Sequence, residues 1–184
     1  MRGDDVIARL VEGNRRFVAG NLERRDIKVE RMQAAAEHRP KAVIVGCSDA
    51  RVPSEAIFDV PVGTLFVVRT AGHVLAEASE ASVRFATELL GADAVVVLGH
   101  EHCGAVTAVM EGNAPAWLDR ALAPIREVRM RLASADVASV TEAHVRATME
   151  RLREVVAADA AHDEPPRVAG GIYHLGGGEV GWLE

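Results

Sequence analysis

At 184 residues the chain has the length of one ordinary domain, enough to bury a real core. Hydrophobic residues make up 49% of it but aromatics only 4%, so that core has to be packed from Ala, Val and Leu. A net charge of −6 without any basic tract argues against nucleic acid and anionic membrane as partners, and no apolar run approaches membrane-spanning length. The opening Met1-Arg2-Gly3-Asp4-Asp5 lacks a signal peptide's apolar stretch, which points to a cytoplasmic protein.

Residues 4–19 carry Val6, Ile7, Leu10, Val11, Phe17 and Val18 at helical spacing, and Gly20-Asn21 ends the run. A second short helix is predicted over 29–37, stopped before Pro40. Both precede the first strand, so they form an arm (1–38) outside any strand–helix–strand crossover. Its apolar face needs a surface to cover, either its own sheet or another subunit. The core (39–184) begins with an apolar strand over 42–46. Pro53-Ser54 opens a short helix through Phe58, and Pro61-Val62-Gly63 turns the chain into a strand over 65–69. Residues 77–89 place Ala78, Ala81, Val83, Phe85 and Leu89 at helical period, with Gly91 as the stop. A strand over 94–99 follows, then a helix over 104–111 broken by Gly112 to Pro115. Long Ala- and Arg-rich helices are predicted over 116–132 and 140–161, their alternating charges forming solvated faces. A strand over 168–174, a turn at Gly176-Gly177-Gly178 and an edge strand over 180–183 complete the chain. The alternation predicts a single α/β domain. Its central sheet is mostly parallel with flanking helices, a helical arm precedes it, and it ends at a C-terminal edge strand.

Two motifs carry the chemistry. Cys47-Ser48-Asp49-Ala50-Arg51 directly follows the strand at 42–46, and His100-Glu101-His102-Cys103 follows the strand at 94–99. Ligand sites in open α/β sheets lie beyond the carboxyl ends of the strands, where strand order reverses. Neighbouring strand ends there bring Cys47, His100 and Cys103 together. Two sulfurs and an imidazole nitrogen suit zinc and leave a fourth position open. The alternative for the two cysteines, the only ones in the chain, is a disulfide or a pair of inert thiols; a reducing cytosol disfavours the first. Cys103 also opens a predicted helix, where the partial positive charge favours the thiolate a metal needs.

Cys-x-Asp-x-Arg followed some way on by His-x-x-Cys resembles the β-class carbonic anhydrase pattern. The likeness extends through Val52-Pro53, Ile57-Phe58-Asp59, Leu65 to Arg69, Ala71-Gly72, Gly99-His100 and Cys103-Gly104, with Arg15-Arg16-Phe17 similar to the family's amino-terminal helix. It is strongest over 41–106 and weak after 112. The resemblance implies one zinc per chain held by Cys47, His100 and Cys103, and the reversible hydration of carbon dioxide to bicarbonate. It also implies a homodimer, or a dimer-based oligomer, in which the arm lies across a second subunit.

Zinc with two thiolates withdraws less charge from a bound water than zinc with three histidines, whose water has a pKa of about 7. Asp49 and Arg51 form the catalytic pair that compensates. Arg51 can hold the Asp49 carboxylate in a bidentate clamp, where it accepts a hydrogen bond from the attacking oxygen. Released, Asp49 becomes a fourth metal ligand and shuts the site. The family shows both arrangements. A plain loop salt bridge is the other reading of the pair.

Three positions depart from the family. Val60 stands where a Gln amide usually contacts the substrate across the dimer interface, and Thr70 stands where many members have Asn. Ile44 replaces the Trp of members with a non-catalytic bicarbonate site. Among the remaining histidines, His102 is expected at the surface and His73 is a candidate proton relay. His38, His144, His162 and His174 carry no motif. Two further functions stay open: hydrolysis of a sulfur analogue, carbonyl sulfide or carbon disulfide, and a low-turnover zinc-binding sensor or assembly domain.

Overall fold

The computed structural model of the chain describes residues 2–157 and 164–183. Five strands form one sheet in the order β2-β1-β3-β4-β5: β1 (Ala42–Cys47), β2 (Leu65–Thr70), β3 (Ala94–His100), β4 (Arg167–Tyr173) and β5 (Val180–Leu183). The first four are parallel, and β5 returns antiparallel to β4. The two central strands, β1 and β3, are buried at every position, as continuous apolar runs in parallel sheets are. Their side chains alternate between two cores. Val43, Val45, Val95 and Val97 pack with Val83 of α4 (Glu77–Arg84) and with Val145, Met149 and Leu152 of α8 (Val137–Ala157). Ala42, Ile44, Ala94, Val96 and Leu98 face the opposite side. They meet Val6 and Leu10 of α1 (Gly3–Val18), Ile57 of α3 (Ser54–Ile57), and Phe58 just beyond it.

Within the chain, α1 docks on the sheet through Val6 and Leu10, which are buried, while Val18 near its end stays exposed. Contact with α3 is close enough that a Cβ at Gly13 would overlap the Phe58 carbonyl oxygen. Buried Asn14 donates to the carbonyls of Ile57 (3.2 Å) and Gly178 (2.9 Å) and accepts from the Val180 N–H (2.9 Å), tying helix, core and C-terminal hairpin together. The second helix of the arm, α2 (Ile27–Ala34), buries none of its residues.

Differences from the expected elements are local. Asp26 caps α2 by accepting from Lys28 N–H at 2.9 Å, so that helix starts earlier than the apolar pattern suggests. The helix over 77–89 ends its α-helical part at Arg84 and finishes in a wide π turn closed by Leu90 N–H to the Phe85 carbonyl. Phe85 and Leu89, expected on its core face, are exposed, and Ala86 and Thr87 are buried instead. The stretch 116–132 divides into α6 (Ala116–Ala121) and α7 (Ala123–Arg131), because Pro124 lacks the N–H that a continuous helix would use there. Asp136 and Ser139 cap α8 reciprocally, setting its start at Val137. The far end of the predicted 140–161 helix, and His162, lie outside the described residues.

Candidate metal centre

The chain connects β1 to β2 on one side and then crosses back to β3 on the other, so strand order reverses between β1 and β3. Their pairing ends at Gly46 opposite Leu98, which leaves Cys47 and His100 side by side at the carboxyl edge. Cys103 is the N-cap of α5 (Gly104–Glu111), reached through a turn in which His102 adopts φ 51°. The two sulfurs and one imidazole nitrogen lie within 4.8 Å of one another, and all three residues are buried.

Each group is oriented by what surrounds it. His100 Nδ1 lies 2.8 Å from the Glu101 carbonyl, which fixes Nδ1 as the protonated nitrogen and turns Nε2 toward the sulfurs. Nε2 is buried and has no hydrogen-bond partner among the described residues. Cys47 Sγ accepts from the Gly72 N–H at 3.4 Å. The neighbouring Cys103 thiol, with His100 and the Gly72 N–H, pulls the Cys47 thiol far down. The same proximity of the two sulfurs, together with burial, pushes Cys103 up. Burial works against a charged His100, but the adjacent Cys47 sulfur and its charge raise it above the ordinary value. Two thiols and an imidazole gathered in a buried pocket, with His100 Nε2 unpartnered among the described residues, form a donor set that fits zinc. Val106, Leu122, Ile125 and Val140 close the apolar layer around it.

Asp49 and Arg51 stand beside this cluster in the clamped arrangement. Arg51 Nε meets Asp49 Oδ1 at 2.9 Å and its terminal nitrogen meets Oδ2 at 2.7 Å, while the Arg51 N–H also donates to Oδ1 at 2.9 Å. These bonds hold the Asp49 carboxyl well below the usual carboxylate range. Asp49 Oδ2 lies 3.9 Å from His100 Nε2, facing the cluster without belonging to it. Arg51 reaches further, to the His102 carbonyl at 3.3 Å, and so joins the two motif loops. Arg69 braces the first loop by donating to the Cys47 carbonyl at 2.9 Å and to the Asp49 carbonyl.

The remaining histidines sort differently. His102 is exposed and contributes only its backbone. His73 is buried, and neither ring nitrogen has a partner among the described residues. His73 stacks on His144, with centroids 4.4 Å apart, and His144 Nε2 meets the Gly72 carbonyl at 3.1 Å. No motif marks His144; its only sign in the sequence is its place on the buried stripe of α8. Thr70 donates to the Val74 carbonyl at 2.8 Å. Ile44 is fully buried core, and Val60 packs half-buried against the α1 side of the sheet.

The sequence profile of the family described as carbonic anhydrase matches residues 42–180. A carbonic anhydrase of Mycolicibacterium smegmatis is 35% identical over 182 residues, covering 93% of this chain and 88% of that protein. Carbonic anhydrase 2 of Mycobacterium tuberculosis is 49% identical over 102 residues, 55% of this chain; the match spans 49%, about half, of that relative's length. Among solved structures, a β-carbonic anhydrase of the fungal pathogen Aspergillus fumigatus superposes with a TM-score of 0.77 at 28% identity, covering 85% of this chain and 81% of that one. Sheet, site and sequence agree, and the chain belongs to the β-carbonic anhydrase family.

Proposed function

We propose that the chain catalyses the reversible hydration of carbon dioxide to bicarbonate and a proton, with one zinc ion held by Cys47, His100 and Cys103. The observation that carries this reading is the convergence of those three ligand atoms beside a carboxylate clamped in place. Zinc, when bound, supplies Lewis-acid activation of a water molecule. The protein's part is orientation. His100 presents Nε2 because Glu101 occupies Nδ1, and α5 favours the Cys103 thiolate at its N-terminus. Arg51 keeps Asp49 ionised and fixed, so Asp49 is an acceptor throughout: it takes the hydrogen bond of the attacking water and leaves an oxygen lone pair aimed at the carbon of the substrate. Carbon–oxygen bond formation then yields bicarbonate, and one proton leaves for solvent.

The intact Asp49–Arg51 clamp favours catalysis over a zinc-holding sensor role, which would not need it. Two free cysteines, both at the centre, and no helix among the described residues long and apolar enough to cross a membrane fit a cytoplasmic enzyme. A homodimer accounts for α2, which leaves Ile27, Val29 and Met32 exposed. The test is stopped-flow carbon dioxide hydration on zinc-replete protein, with Cys103→Ser alongside. The parent is expected to hold one equivalent of zinc and turn over; Cys103→Ser is expected to lose both. A parent with well under one equivalent, unrestored by added zinc, refutes the metal assignment. A fully loaded parent that hydrates no carbon dioxide refutes the reaction.

A further inference from the structure

Behind the metal centre β2 ends in a turn whose backbone is unusual. Gly72 (φ 64°, ψ 26°) and His73 (φ 47°) follow one another in the left-handed region, which for His73 stores strain. The turn is tightly enclosed: a Cβ on Gly72 would lie 2.7 Å from Ile125 Cδ1 and 2.9 Å from Ala105 Cβ. Strained turns persist only where their surroundings hold them. Here two side chains do so. The Thr70 hydroxyl spans the turn to the Val74 carbonyl, and His144 approaches from α8 to meet the Gly72 carbonyl at 3.1 Å.

A carbonyl oxygen only accepts, so His144 Nε2 carries the proton in this contact and Nδ1 is the bare nitrogen. Nδ1 is buried and has no partner among the described residues. Burial pulls His144 down to about 4, so the ring stays in this neutral form around neutral pH. His73 stacks against it at 28° between planes and limits its movement. On its other side the same glycine faces the metal ligands, since the Gly72 N–H donates to Cys47 Sγ at 3.4 Å. A donor on a ligand sulfur draws off charge and fixes its lone pairs, and such outer partners typically matter about 10–100-fold in metal affinity.

We infer that His144 is a positioning residue for the metal centre: by donating to the Gly72 carbonyl it holds the 71–73 turn where the Gly72 N–H reaches the Cys47 sulfur. This rests on the reading of Cys47, His100 and Cys103 as metal ligands.

Zinc affinity, measured by chelator competition, is compared among the parent, His144→Phe and His144→Gln. Phenylalanine keeps a ring for His73 to stack on but has no donor; the glutamine amide reaches about as far as Nε2 and restores one. His144→Phe is expected to bind zinc about 10–100-fold more weakly, with most of the loss regained in His144→Gln. The thiolate-to-metal charge-transfer band of cobalt-loaded protein should shift in His144→Phe and return in His144→Gln. Equal losses in both variants, or parent affinity in a folded His144→Phe, overturn the inference. Should His144→Phe fail to fold, nuclear magnetic resonance of the parent loaded with spin-active cadmium decides. The Gly72 amide must couple to the metal through sulfur, and the His144 nitrogen shifts must place the proton on Nε2; failure of either overturns the inference. A parent that takes up neither zinc nor cadmium instead brings down the metal assignment itself.

Discussion

Arg51 is more than half exposed, yet three of its contacts end on one carboxylate and a fourth on the backbone beside Cys103. On the proposed zinc reading, removing the guanidinium would free Asp49 to become a fourth ligand, so Arg51→Ala is expected to keep one equivalent of metal and lose nearly all turnover. A variant as active as the parent would reduce the pair to a loop salt bridge. Val60 tests the opposite case, a polar contact the chain lacks. A preorganised hydrogen-bond donor of the kind the family places there is worth roughly 10²-fold when optimal. Val60→Gln should therefore raise turnover in stopped-flow assays by up to that factor, and an unchanged rate at full zinc loading would mean that another group already serves. That Cys47, His100 and Cys103 meet, with Asp49 and Arg51 paired beside them, is legible in the sequence because each sits at a fixed offset from a recognisable strand end. The place of His144 is not: its partner is a backbone carbonyl on a distant turn, and nothing in the residues around it on α8 points there. His73 was readable as lying near the site, but only packing could show it sealed against His144.

Elements were read most accurately where one signal dominates. The strands β1 and β3 are unbroken apolar runs ending in Gly-Cys and Gly-His, and their observed ends lie within a residue of the apolar pattern. Helix ends depended on caps, and Asp26, Asp136 and Pro124 all carried signals that the apolar period obscured. The π turn at 85–89 has no comparable mark. The joint between arm and core shows what such local detail contributes. Asp59, at φ 44° and nearly buried, accepts from Arg16 Nε at 2.6 Å, from the Glu23 N–H at 3.2 Å and from Arg25. Burial alone would raise its pKa, but the Arg16 hydrogen bond and its neighbours win and hold it below the ordinary value. A carboxylate depressed in the folded state stabilises the fold above its unfolded pKa of about 3.9, and that contribution is lost as pH falls through the folded value. Asparagine tolerates the same backbone, so Asp59→Asn isolates the charge. It should cost about 1–3 kcal/mol near neutrality, read by urea denaturation, with the gap to the parent closing in acid. A gap that is constant with pH would assign the effect to packing.

At the scale of the whole molecule, the order of elements foretold a parallel sheet with its site at the reversal of strand order. It could not say what the arm covers. Amphipathic spacing identifies a face to be buried and is silent about the surface that receives it. The structure divides the arm: α1 is inseparable from the core through Val6, Leu10 and Asn14, while α2 packs nothing away. Deleting the whole arm would therefore strip the sheet for reasons unrelated to assembly, and a sharper test leaves α1 alone. Leu22 and Ile27, 51% and 63% exposed, line a hollow of about 450 Å³ together with Val60, Val62 and Leu65, and Glu23, Arg25, Glu30, Glu55 and Asp59 share its walls. Exposed apolar side chains rimmed by polar ones are a common mark of a surface that meets a partner. The parent is expected to sediment as a dimer or a multiple of one. Leu22→Glu with Ile27→Glu replaces the hollow's two most exposed apolar side chains with carboxylates, whose desolvation opposes association. That double variant should sediment as a folded monomer. Its zinc content should stay at one equivalent, because Cys47, His100 and Cys103 all come from one chain. A parent that is monomeric and fully active would show that the exposed face of the arm has no part in the reaction.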